Sequence, residues 1–456
     1  MHPKKRIAVE KISIIVGASV ALLGCARGES SVADDNVSLP TDAGAAGALT
    51  STPGANVSPT PPGSVAKLFV GPGSQSNTGG ELVDDRYGFG VACALMTEGS
   101  LYCWGNDFYL RPHPSAAEAP APPELASTLY PRREPVPPLV SLAYGAFTTD
   151  PAYAGSSFNW SRICGVGTDT RVYCWCGMYN GLTPDNLSMY DLMGDGISHD
   201  VASCGSPIDI GVSGAKDVVM NGNATCLLML DGTVRCWGYD SVGSVGLGEL
   251  PNSTLTPTQV PGLLNIVELS AGAPMCALAA DGTVQCWGGP QIDGIGSAGP
   301  HAVYGVANVA HITTSSEGMF GITTAGQVLL WGGNAAYAVG YTPELRAELS
   351  PARDVPIWSY GSVSAATTCA SDLLAVGLGP DQALHTQCAA PSGLIPNLAG
   401  MHADLAAGGG ENICILKDGL VLCAGFNALG QLGDGTTTSR SAFAPVLWPR
   451  TVTPPR

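Results

Sequence analysis

The chain reads as an all-β protein: a seven-bladed β-propeller of four-stranded antiparallel blades, stapled by hairpin disulfides. Three observations predict this. One hairpin pattern recurs along the chain, it recurs every 40–70 residues or so, and no long stretch carries a helical amphipathic period.

The hairpin is clearest at Met275–Gly288, MCALAADGTVQCWG. Cys276 and Leu278 fall on one face of its first arm, and Val284 and Cys286 on one face of its second. Facing positions in a hairpin have a constant sum, and Cys276/Cys286 and Leu278/Val284 share one. The same register fits Cys93/Cys103 around Leu95/Leu101, Cys164/Cys174 around Val166/Val172, and Cys226/Cys236 around Leu228/Val234. Near the end, Cys414/Cys423 frames Leu416/Val421 about a two-residue Asp418-Gly419 turn, a strong hairpin signal. Two copies keep the register without cysteines. Phe320/Leu330 and Ile322/Val328 form one; Val376/Thr386 and Leu378/Leu384 form the other, with Gln387 where the others place Trp. The repeats then run 66–138, 139–213, 214–263, 264–305, 306–354, 355–401 and 402–450.

The chain begins with an address. Lys4-Lys5-Arg6 precede an apolar run, Ile12–Leu23, too short to span a bilayer and suited to a signal peptide. Leu22-Leu23-Gly24-Cys25 resembles a bacterial lipobox. That resemblance implies cleavage of a lipoprotein signal peptide, 1–24, and lipidation of Cys25, with the protein held on the cell envelope. A plain secretory signal or an uncleaved anchor is the alternative. Residues 26–63 are mainly Ala, Gly, Ser, Thr, Pro, Asp and Val without periodicity, and read as a disordered tether. The propeller occupies 64–450, and 451–456 is a tail.

Composition agrees. Sixty Gly and 35 Pro make the chain turn-rich, while 45% hydrophobic residues can fill a large core. The net charge is −17; losing 1–24 removes four Lys/Arg and one Glu and leaves −20. Such a balance argues against nucleic acid as a partner. Of 15 cysteines, Cys25 is set apart and fourteen remain, an even number. Five hairpin pairs use ten. Cys176 and Cys204 bracket a long insertion, and Cys369 and Cys388 share one degenerate repeat, so all fourteen can pair in an oxidising compartment. Cys164 can reach either Cys174 or Cys176. Zinc would want more closely spaced ligand pairs with further Cys or His nearby, so no metal or cofactor is expected.

Each hairpin is preceded by an apolar strand, such as Asn265–Ala271, and followed by a Gly-rich loop and an extended segment, such as Gln259–Leu263. That makes about four strands per unit. Leu278 and Val284 would serve one blade interface and Trp287 the other. Trp104, Trp175, Trp237, Trp287 and Trp331 read as core. A terminal strand such as Ala442–Trp448 could complete blade one beside Ala66–Val70.

The segment Asn427–Gly435, NALGQLGDG, resembles the regulator-of-chromosome-condensation repeat, as do Val234–Gly238 and Val284–Gly288, each ending Cys-Trp-Gly. The resemblance spans about Lys67 to Trp448 and implies a seven-bladed propeller. The family's nuclear exchange-factor role would need access to a cytosolic GTPase, which an exported chain lacks. Its secreted bacterial members include protein inhibitors that bind an enzyme on one propeller face.

Function therefore points to binding. In a four-stranded blade, the loops after strands one and three emerge on one face. Blade one has long loops at 71–91 and 105–137, and blade two at 145–162 and 177–203. They carry Phe108, Tyr109, Arg111, Tyr130, Arg132, Arg133, Trp160, Met178, Tyr179 and Tyr190, residue types that dominate interface hot spots. The expectation is a monomer that binds a protein partner through this face. Solvated decoration is the plainer alternative for the insertions. A structural envelope protein or adhesin is a second function class. A propeller hydrolase or lyase is a third, but no catalytic motif is found: no Gly-x-Ser-x-Gly, no phosphate loop and no His-Glu-x-x-His.

Overall fold

The computed structural model describes residues 57–70, 91–105, 128–148, 159–176, 192–199 and 206–449. The last range has breaks, the longest at 289–297, 332–343, 347–357, 361–373 and 387–400. Among these residues there is no α-helix, only strands and turns.

Among the described residues the strands form seven consecutive antiparallel sheets of three or four strands, and one further two-stranded pairing. Blade one comprises Val65–Val70, Val91–Met96, Leu101–Gly105 and Thr128–Arg133. Blade two comprises Leu139–Thr148, Asn159–Gly167, Val172–Cys176 and Ile208–Asp209. Blade three has Ala215–Met220, Ala224–Met229, Val234–Tyr239 and Ser253–Gln259. Blade four has Ile266–Ser270, Met275–Ala279, Val284–Trp287 and His301–Ala302. Blade five has Val309–Thr314, Met319–Thr323, Val328–Trp331 and Glu344–Arg346. Three strands of blade six are described, Trp358–Tyr360, Leu374–Leu378 and Leu384–Thr386. Blade seven has Leu405–Gly409, Asn412–Lys417, Leu420–Gly425 and Arg440–Pro445. First strands meet neighbouring first strands along much of the series, and so line the axis, while the fourth strands lie outermost.

The hairpin register is the one the alternation predicts. Cys276 faces Cys286 and Leu278 faces Val284; the cysteine-free Phe320/Leu330 and Val376/Thr386 pairs also face. Five disulfides follow: Cys93–Cys103, Cys164–Cys174, Cys226–Cys236, Cys276–Cys286 and Cys414–Cys423. Facing antiparallel residues are close enough for a disulfide without moving the backbone. Cys164 thus takes Cys174, not Cys176. The Cys176 side chain, Cys204, Cys369 and Cys388 lie outside the described residues. At Asp418-Gly419 both φ values are positive, 51° and 75°, the signature of a two-residue primed turn.

Each blade's two faces serve different neighbours. The Cys276–Cys286 face, with Leu278 and Val284, packs on Val306, Val309 and Ile312 of blade five. The opposite face, carrying Met275, Ala277 and Trp287, packs on Cys226, Leu228, Val234 and Cys236 of blade three. In the five disulfide-bearing blades the disulfide face looks forward along the chain.

Two kinds of hydrogen bond fasten the seams. At the hairpin tips, Gly99, Thr170, Gly232 and Gly282 each offer a carbonyl to the next blade's first strand. The donors are the amides of Leu139, Ala215, Ile266 and Val309, at 2.9–3.2 Å. Gly282 is required at its tip: φ is +82° and an added Cβ would stand 2.9 Å from Asn308 Cα. At the opposite face, the indole of one blade donates to a carbonyl in the loop of the blade before it. Trp104 reaches Gln431, Trp237 reaches Leu192 and Trp287 reaches Ser244, at 2.9–3.0 Å.

Blade seven packs directly on blade one: Cys414, Val421 and Cys423 share a core with Leu68, Ala92 and Trp104. The expected closing strand is not made this way. Arg440–Pro445 is the fourth strand of blade seven, paired with Leu420–Gly425, rather than a partner for Ala66–Val70. Blade one has four strands of its own, and Arg440–Pro445 is taken up by the hairpin of blade seven. The segments flanking the blades meet outside them instead. Trp448–Pro449 pairs with Val57–Ser58, within the stretch read as tether, and Trp448 sits edge-on to Tyr102 and Trp104.

Candidate functional site

The loop face of blades one and two carries the residues expected to meet a partner. Phe108, Tyr109, Arg111, Met178, Tyr179 and Tyr190 lie outside the described residues. Trp160 lies on the second strand of blade two, opposite Phe147. Tyr130, Arg132 and Arg133 are not in a loop; they belong to the fourth strand of blade one, Thr128–Arg133. There Arg133 faces Tyr102 and Arg132 faces Cys103 on the strand Leu101–Gly105. The third loop of blade one thus narrows to 106–127.

Tyr130 is half-buried against the Asp434-Gly435 turn of blade seven, where a Cβ on Gly435 would stand 2.6 Å from its hydroxyl. The Gly435 amide donates to the Leu129 carbonyl across the same seam, at 3.0 Å. Arg132 caps a buried carboxylate: its guanidinium lies 3.2 Å from Glu134, whose side chain is 1% exposed. Arg133 is exposed.

The Asp434 turn is built by its own side chain. Asp434 Oδ1 accepts from the Thr436 amide and hydroxyl, and Oδ2 from Arg440 Nε at 2.7 Å. Upstream, Asn427 Oδ1 accepts from the Leu432 amide at 2.9 Å, and its Nδ2 donates to the Thr436 and Thr438 carbonyls. The repeat signature is therefore a self-bonded loop that holds Gln431 O beneath Trp104. Blade three builds the same loop around Asp240, whose Oδ1 accepts from Val245 N at 2.8 Å. Burial pushes the Asp240 carboxyl above its ordinary value.

Blade two departs from this plan in a way the sequence reading missed. Leu192-Met193-Gly194-Asp195-Gly196 lies inside the stretch read as an insertion, 177–203, yet stands where Gln431–Gly435 stands in blade seven. Leu192 and Met193 are buried, Leu192 O accepts from Trp237, and Gly194 lies against that indole at φ +105°. Asp195 Oδ1 takes the Ile197 amide, and His199 Nε2 lies 2.8 Å from Oδ2, the place Arg440 holds in blade seven. The added residues of blade two are thus 177–191. The signal was the shared Gly-Asp-Gly, displaced by the insertion from its usual distance to the hairpin.

At the root of that insertion lies Arg162, 2% exposed. One terminal nitrogen donates to the Leu192 carbonyl, and the other donates to Thr225 Oγ1 of blade three at 2.7 Å. Its Nε has no partner, and burial alone lowers its pKa to about 10. It stays protonated at neutral pH.

Among the described residues, two polar pairs on the first strands are engaged between blades. The Ser141 hydroxyl bonds to Asp217 across blades two and three, and His311 Nδ1 lies 3.3 Å from Glu268 across blades four and five. Among the described residues no cluster of His, Cys, Asp and Glu is placed to hold a metal ion.

No protein-family model and no curated protein matches the chain. Solved structures do. The structure of Prp20p from Saccharomyces cerevisiae, described with its binding to Gsp1p and histones, superposes with a TM-score of 0.55 at 16% identity, covering 79% of this chain and 88% of that one. Yeast RCC1 (Prp20) bound to Kap60 gives 0.53 at 16% identity, over 77% and 84%. The fold is an RCC1-like propeller. Within it, the self-bonded loop and its backward-reaching tryptophan are the repeat's structural signature, and the blade-two insertion interrupts that loop without removing its end.

Proposed function

We propose that this chain is an exported, lipid-anchored, monomeric protein-binding propeller, using the face on which the loops of blades one and two emerge. The fold carries the reading: both yeast structures are of a propeller described with protein partners, Gsp1p and histones in one and Kap60 in the other. The five buried disulfides fit an oxidising, extracytoplasmic compartment. An envelope location on Cys25 fits both that chemistry and the N-terminal sequence. Excess acidic charge favours a partner with a basic surface over nucleic acid.

The binding residues proposed are Phe108, Tyr109, Arg111, Trp160, Met178, Tyr179 and Tyr190, with the exposed Arg133 at the strand edge. Tyr130 and Arg132 would contribute by holding that edge against Gly435 and Glu134. The test is affinity capture from envelope and secreted fractions, comparing the native chain with one whose residues 106–127 and 177–191 are replaced by short Gly-containing loops. A protein held by the native chain alone is the expected result. A protein held equally by both would move the site elsewhere on the propeller. Capture by neither would favour a structural envelope role.

A further inference from the structure

Buried arginines are costly unless the fold uses them. Arg162 has no carboxylate among its hydrogen-bond partners, and its neighbours in the ring show that the position does not demand a cation. It faces Cys176 at the start of the second strand; Val91, Ala224 and Asn412 hold the matching place in blades one, three and seven. Of these four blades, only blade two carries an arginine here.

The loop explains why. In blades three and seven, Asp240 and Asn427 stand four residues after Cys236 and Cys423 and fasten the loop from within. Ser244 and Gln431 then follow eight residues after those cysteines, under the next blade's indole. In blade two the residue four after Cys174 is Met178, which has no side-chain oxygen, and Leu192 comes eighteen residues after Cys174. That position offers no acceptor in blade two, yet Leu192 O is still under Trp237. Arg162 bonds that same carbonyl and reaches across the seam to Thr225.

We infer that Arg162 is a positioning residue which takes over the work of the missing Asn or Asp, clamping the downstream root of the 177–191 insertion to blade three. A fixed root sets where the insertion leaves the propeller, and preorganised loops lose less entropy on binding. The inference rests on the protein-binding reading for its consequence, though not for its geometry.

Hydrogen–deuterium exchange on the full chain, folded under oxidising conditions, reads the clamp directly. In Arg162→Met, amides across Met193–His199 should exchange about tenfold faster or more, since a charged hydrogen bond is lost. The Met275–Trp287 hairpin of blade four should exchange as before. Arg162→Lys, which can reach only one of the two acceptors, should lie between. If Arg162→Met fails to fold, Thr225→Val removes a single bond and should show the same local effect at smaller size. Unchanged exchange at Met193–His199, or an equal rise in every blade, would overturn the clamp. In the capture experiment, Arg162→Met should lose the partner that the native chain holds; a released loop with capture intact would overturn the positioning role. A native chain that captures nothing would sink the binding reading, while the exchange result would still decide the clamp.

Discussion

Trp287 Nε1 donates to the carbonyl of Ser244, 3.0 Å away and 43 residues earlier in the chain. The bond joins blade four to blade three, and Gly246 is the surface on which the indole rests.

Gly246→Ala should be strongly destabilising, because φ is +83° and the new Cβ would stand 2.7 Å from the indole nitrogen. Positive φ and overpacking together should cost about 2–4 kcal/mol. Gly248 has a matching φ of +85° and nothing within 4 Å, so Gly248→Ala should cost only about 1 kcal/mol. Denaturant titration of the two variants separates contact from strain. Equal losses would remove the contact from the account.

Trp287→Phe removes the donor, leaves the Ser244 carbonyl unpaired and opens a cavity. A loss of about 2–4 kcal/mol is expected. A loss below that of an exposed substitution would show that the indole bond contributes nothing at this seam.

Asp240 should make stability depend on pH. Its carboxyl titrates above the ordinary value of 3.8 in the folded state because of burial, and its Oδ2 has no partner. The unfolded chain therefore ionises first. The stabilising preference for the proton is full below the unfolded pKa and is lost as pH rises through the folded one. Asn427 shows the neutral alternative at the same loop position. Asp240→Asn should gain about 1–2 kcal/mol at neutral pH, and the gain should shrink in acid. A gain independent of pH would exclude the carboxyl as its source.

Removing the blade-four staple as Cys276→Ala with Cys286→Ala should cost about 2–3 kcal/mol by loop closure. Blade five already tolerates Phe320 facing Leu330 at these positions, so the fold should survive. Native protein should resist thiol labelling before and after mild reductant, since both sulfurs are buried. Rapid reduction of the folded chain would mean that the hairpins open without unfolding.

Cys25→Ser should release the protein from membranes into the soluble fraction. Retention on the membrane would instead point to an uncleaved apolar anchor at Ile12–Leu23.

The hairpins were legible because strand alternation has a period of two and the turns have strict chemistry. Cys276, Leu278, Val284 and Cys286 could be paired by position alone, as could Phe320 and Leu330. The division of each blade into a disulfide face and a tryptophan face followed from the same alternation. What lies between blades was not legible. Trp104 finds Gln431 across 327 residues, and no local pattern announces an acceptor that distant. Arg162 sat unmarked between Ser161 and Ile163, and Tyr130 looked like a loop residue until its strand placed it on Gly435. The Leu192 turn was hidden because the insertion moved it away from its hairpin, so that position along the repeat ceased to identify it. The closing strand was misjudged for a related reason: alternation names a strand without naming its neighbour.

The meeting of Val57–Ser58 with Trp448–Pro449 outside the sheets has a consequence for how such a ring can change over generations. Every blade with four described strands is a single uninterrupted stretch of chain, and no blade is shared between its two flanks, which pair only in the small sheet of Val57–Ser58 and Trp448–Pro449. A gene segment encoding one blade could be copied or deleted without cutting a sheet, with only the seam contacts to be re-made. For the same reason, joining the ends and opening the ring at another inter-blade connection should yield a circular permutant with all its sheets whole.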